Sequence, residues 1–182
     1  MDAQQIELAI RNAQRGIAQY LEIMRILPAV NVAENRDFQR KFNHFYRVRQ
    51  RPAAWYATYY SALERWKNNK PGFAEVLDYL HGALGRYEPS FSSKLVATLD
   101  PEQPVWDRFV LEHTGVQSPP YTARNKLAQA KAAYVGIQAW YREFLASATG
   151  RLVVELFDAQ VPEHGRVTDL KKVDFVLWQM RG

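Results

Sequence analysis

The sequence predicts an all-α fold, a single-domain orthogonal helical bundle of about seven to nine helices spanning residues 1–182. Three observations predict it. Apolar residues recur at three-and-four spacing in segment after segment, as one buried helix face requires. Clusters of Pro, Gly, Asn and Ser punctuate those segments. The single strand-like run, Leu152-Val153-Val154, has no second strand to pair with.

The elements follow in order. Ile6, Ile10, Ala13, Ile17, Leu21, Met24 and Leu27 mark a first amphipathic helix that Pro28 stops. A second helix is expected from about Glu34 to Gln50, with Phe38, Phe42 and Phe45 as its apolar stripe. Pro52 suits the first turn of a third helix carrying Trp55, Tyr56, Tyr59, Tyr60, Leu63 and Trp66. Phe73, Val76, Leu77, Leu80 and Leu84 line a fourth. The stretch 85–93 reads as a loop, with Ser92 or Ser93 capping a short helix from Lys94 to Leu99. After the turn at Asp100 to Pro104, a short helix is expected from about Val105 to Glu112. The longest helix is expected from about Ala123 to Ala148, its seam of Leu127, Ala130, Tyr134, Ile137, Tyr141, Phe144 and Ala148 making it the spine of the core. Arg151 to Val161 is read as helix. Thr168 caps a last helix that buries Leu170, Val173, Val176, Leu177 and Met180.

A chain of 182 residues buries roughly 70% of the surface its unfolded form exposes, so it needs neither disulfide nor metal to fold. It has no cysteine, which excludes disulfides, thiolate zinc sites and cysteine nucleophiles. Its four histidines, His44, His81, His113 and His164, form no pair at metal-binding spacing. There is no P-loop and no GxGxxG, so no cofactor is called for. No segment is apolar enough to span a membrane, and Glu7, Arg11 and Arg15 interrupt any signal-peptide core, which makes the cytoplasm the expected location. The net charge of +5 favours polyanionic partners.

Candidate chemistry lies in three places. Arg36, Arg40, Lys41, Arg47, Arg49 and Arg51 crowd the second helix and its end, a pattern suited to phosphate contacts or to a solvated face. Trp55, Tyr56, Tyr59 and Tyr60 either stack on exposed bases or fill the core. The third is Ser92-Ser-Lys-Leu-Val-Ala-Thr-Leu-Asp-Pro-Glu-Gln-Pro-Val-Trp-Asp-Arg-Phe-Val110, a helix with a lysine, a proline turn and an aspartate opening the next helix. With the ending Lys172-Val-Asp-Phe-Val-Leu-Trp-Gln179, it resembles the latter half of the helix-hairpin-helix DNA glycosylase superfamily, over roughly Leu84 to Thr114 plus the C-terminal helix. The resemblance implies that Lys94 supplies an attacking amine and that Asp107 stabilises positive charge at the sugar's anomeric carbon. The glycine-rich hairpin of that family has no counterpart here. Tyr87-Glu-Pro-Ser-Phe-Ser-Ser93 has no glycine, and Lys94 and Asp107 stand only 13 residues apart.

Three functions remain open at this stage. The first is a DNA-binding protein on a glycosylase-like fold, with catalysis undecided. The second is an interaction module holding a protein partner in a regulatory or defence system. The third is a small-molecule enzyme with an inter-helix pocket at His81 or His113. The residues leave the oligomeric state undetermined.

Overall fold

The computed structural model describes residues 1–180. Nine α-helices occur among them, with no strand: α1 Ala3–Ile26, α2 Arg36–Phe45, α3 Ala53–Arg65, α4 Phe73–Leu84, α5 Pro89–Leu99, α6 Arg108–Thr114, α7 Lys126–Ala146, α8 Ala148–Gln160 and α9 Asp169–Gln179. Short 3-10 turns follow α1 and precede α9. The all-α bundle is therefore as expected, and none of the described helices is long and apolar enough to cross a membrane.

Capping accounts for most boundaries. Asp2 and Gln5 form a reciprocal capping box at α1. Asn35, Asp107, Ser147 and Thr168 each accept a backbone N–H at the start of α2, α6, α8 and α9. Gly85 and Gly115 close α4 and α6 in the left-handed conformation.

Several expected boundaries shift. Helix α2 stops at Phe45, five residues early, because Arg47 takes a left-handed backbone (φ 54°) and the Val48 N–H returns to the Asn43 carbonyl at 2.9 Å. This is a Schellman closure with arginine where glycine is usual, locked by the buried Val48 side chain. Helix α5 starts at Pro89 rather than Lys94: proline occupies the first turn, where no N–H is needed. Ser92 and Ser93 lie inside α5 and donate to the Glu88 and Ser90 carbonyls (both 2.9 Å) instead of capping it. Helix α6 begins only after Asp107, and α7 spans 21 residues against 24 in α1. Ala148 belongs to α8, where the strand-like Leu152-Val153-Val154 is helical.

The spine is also not where the heptad seam placed it. In α7 only Ala130, Tyr134, Ile137 and Tyr141 are buried, one narrow face. In α9 every residue from Leu170 to Leu177 is buried, and α9 packs on α1, α6, α7 and α8. Lys171, Lys172 and Asp174 find ionic partners inside the fold, so α9 can be enclosed on all sides. Two apolar clusters result. One gathers α1, α7, α8 and α9, the other α2, α3, α4 and α5, and Met24, Phe45 and Trp178 pack against both.

Candidate functional site

Lys94 and Asp107 are brought to one place. The Ser93 hydroxyl accepts the Trp106 N–H at 2.8 Å, which pins the residue before Lys94 to the residue before Asp107. The half-buried Lys94 ammonium donates to the Tyr46 carbonyl at 3.2 Å and stands 4.9 Å from the centre of the Phe91 ring. Thr98 supports this corner by donating to the Lys94 carbonyl at 2.7 Å, which leaves its oxygen to accept from the Tyr46 hydroxyl at 3.2 Å.

Burial lowers the Lys94 pKa from the ordinary lysine value, Asp107 opposes that shift, and Arg47 and Arg51 add to it. Burial likewise raises the Asp107 pKa; the Val110 N–H that it caps works against the rise, and the charge of Asp174 adds to it. The two groups sense each other's charge, but no ion pair joins them among the described contacts. Burial thus disfavours the charged form of both groups, lowering the one pKa and raising the other.

The six basic residues of the second segment divide into engaged and free. Lys41 is held by Asp37 at 2.6 Å and Glu22 at 3.1 Å, and Arg40 pairs with Asp37 as well. Both line a groove of about 540 Å³ between α1 and α2. Arg36 donates to Gln39 at 3.3 Å. Arg51 pairs with the buried Glu88 carboxylate at 3.4 Å, its guanidinium 4.8 Å from the Phe91 ring centre. Arg47 and Arg49 are exposed, with no carboxylate partner among the described residues. Arg47 and Gln50, both with φ 54°, bracket a tight loop that carries these arginines past Lys94.

No family model matches the chain, and no curated protein and no solved structure matches it either.

The aromatic run lies in the core. Trp55 stacks on Tyr59 at 4.8 Å, the Tyr59 hydroxyl donates to the Phe91 carbonyl at 3.0 Å, and Tyr60 donates to Asn43 at 2.7 Å. Tyr56 alone of the four is half-buried. The histidines proposed for an inter-helix pocket pair with no carboxylate among the described residues. His113 lines a groove of about 360 Å³ beside Gln5, Asn12 and Gln179 and bonds the Met180 carbonyl, and His81 bonds the Arg86 carbonyl. No group of three potential metal ligands gathers among the described residues.

Behind the site lies a polar network that sequence reasoning missed. Lys171 and Asp174 are fully buried and paired at 2.6 Å, and the Tyr141 hydroxyl donates to Asp174 in a short hydrogen bond. Burial disfavours the Lys171 ammonium, yet Asp174, Tyr46 and Tyr20 together raise its pKa, so it stays charged. Tyr20, buried against it, is pushed up to about 12. In sequence the pair is a Lys–Asp couple at i, i+3 among the apolar Leu170, Val173, Phe175, Val176 and Leu177.

Proposed function

We propose that the chain binds nucleic acid, with DNA as the partner that the glycosylase resemblance implies. The exposed Arg47 and Arg49 contact phosphates, and Lys94 is the amine beside them. One observation carries this reading: a half-buried lysine amine is held by the Tyr46 carbonyl and the Phe91 ring, with Arg47, Arg51 and Asp107 in electrostatic reach. Arginines there would neutralise a phosphate flanking the reacting sugar, while the Phe91 ring and the Tyr46 carbonyl fix the amine.

The chemistry this supports is attack on the aldehyde of an abasic deoxyribose. The neutral Lys94 nitrogen adds to the aldehyde carbon, a proton passes to the oxygen, and water leaves as the C=N bond forms. In this reading Asp107, whose pKa burial raises, supplies that proton. A second, binding-only role for the site needs the same arginines and dispenses with this step.

The test compares a duplex carrying one abasic site with an intact duplex across a salt series. With two or three phosphates neutralised, affinity should fall a few tens-fold or less between 50 and 200 mM salt, with a slope of roughly −2 to −3. Borohydride reduction should trap the abasic duplex covalently on the native protein. It should trap nothing on Lys94→Ala or Lys94→Arg, since the second keeps the charge without a nucleophilic amine. Because the Lys94 pKa is lowered, the neutral amine appears as pH rises through a value below the usual lysine range, and trapping should level off there. Failure to bind either duplex at low salt overturns the reading. Binding without trapping at any pH removes the covalent step and leaves the binding.

A further inference from the structure

Nearly every large aromatic side chain points inward, and Tyr121 is the exception: it is 66% exposed. It follows Ser118-Pro119-Pro120, two residues of fixed φ that stiffen its approach. The ring is held from the protein side. The Lys126 ammonium lies 4.3 Å from its centre and donates to the Tyr121 carbonyl at 2.9 Å. Tyr87 meets the ring at 5.9 Å and 72°, and the same ammonium stands 5.6 Å from the Tyr87 ring. An exposed aromatic anchored this way loses little conformational freedom when a planar partner lands on it.

The surroundings are cationic. Arg86 and Arg124 are exposed beside these tyrosines in sequence, with no carboxylate partner among the described residues. The Tyr87 hydroxyl oxygen is buried without a hydrogen-bond partner among the described residues. Tyr87 also directly precedes Glu88, the carboxylate that holds Arg51 and accepts the Trp55 indole N–H at 3.3 Å. The tyrosine patch and the arginine loop are therefore linked through two consecutive residues.

We infer that Tyr121, backed by Lys126 and flanked by Arg86 and Arg124, is a stacking platform for an unpaired base of single-stranded nucleic acid. Bases inside a duplex present no free face, whereas a single strand offers a face and a phosphate to such a pairing of ring and cations. The inference rests on the nucleic-acid reading given above.

The test uses a short labelled oligoadenylate and an oligomer of the same length made wholly of abasic sites, followed by fluorescence anisotropy. The native protein should prefer the adenine oligomer roughly tenfold. Tyr121→Ala should abolish that preference, bind the abasic oligomer as before and keep the same salt slope, while Tyr121→Trp keeps the preference. Tyr121→Ala retaining the native preference overturns the stacking role alone, provided an Arg47→Ala/Arg49→Ala variant still weakens duplex binding. A native protein that binds neither oligomer nor duplex at low salt overturns both readings.

Discussion

Replacing Asp174 with alanine is expected to destabilise the fold by about 3–5 kcal/mol, a large share of the roughly 5–15 kcal/mol that keeps such a domain folded. The cause is the charge left behind. Lys171 is fully buried, its ammonium 2.6 Å from the Asp174 carboxylate, with Tyr20 and Trp178 rings about it. Tyr141 would lose the acceptor of its hydroxyl at the same time. Removing both charges together is a different matter, because the pair paid a desolvation penalty that an apolar pair never meets. Lys171→Met/Asp174→Leu should therefore recover most of the loss, and Tyr141→Phe alone should cost roughly 1.5–3 kcal/mol, as for a hydrogen bond to a charged group. Chemical denaturation of the four proteins decides the matter. If Asp174→Ala falls within 1 kcal/mol of the native protein, the pair is not enclosed as described.

A comparable effect is expected at Gly150. A methyl group there would overlap the Phe144 carbonyl oxygen and crowd the backbone of Leu145. Neither neighbour can yield, because this is the corner where α7 hands over to α8. Ser147 donates to the Phe144 carbonyl at 2.6 Å and accepts the Gly150 N–H at 3.0 Å. Gly150→Ala should then cost about 3 kcal/mol or more, at the upper end of overpacking penalties. Gly136 is the internal control. It sits within α7, and an added methyl would lie 3.5 Å from Val116, an ordinary contact. Gly136→Ala should stabilise by up to about 1 kcal/mol through helix propensity. Melting curves of the two variants should move in opposite directions.

Much of the fold was legible because periodicity and capping are local. The Phe38, Phe42 and Phe45 stripe, the Thr168 cap and the helical state of 151–160 all follow from neighbours in sequence. The missed features depend on long-range pairing. Nothing local says that Lys171 and Asp174 are enclosed, since the same pair on an exposed helix would be unremarkable. The early end of α2 was hidden because arginine is a poor candidate for a left-handed position, and only the burial of Val48 explains why it is tolerated. The seam of α7 pointed to the spine because its period is regular, whereas α9 carries four ionisable residues and looked half-exposed.

The candidate site was legible in part for the same reason. Lys94 and Asp107 could be named from the resemblance their segment carries, but their proximity depends on the Ser93–Trp106 hydrogen bond, which ties α5 to the segment leading into α6. Of the basic residues, charge alone could not separate Arg47 and Arg49, left unpaired, from Arg40 and Lys41, which Asp37 and Glu22 neutralise. Tyr121 gave no signal, because it lies in a proline-marked segment that reads as a simple stop.

Arg47 and Gln50 both hold φ 54°, a backbone in which any residue but glycine, asparagine or aspartate is uncomfortable. Glycine at position 50 should raise the melting temperature by relieving that discomfort, and glycine at 47 should do so too while erasing a cation. Thermal robustness and a charged loop thus pull in opposite directions at residue 47, and there the chain has kept the charge.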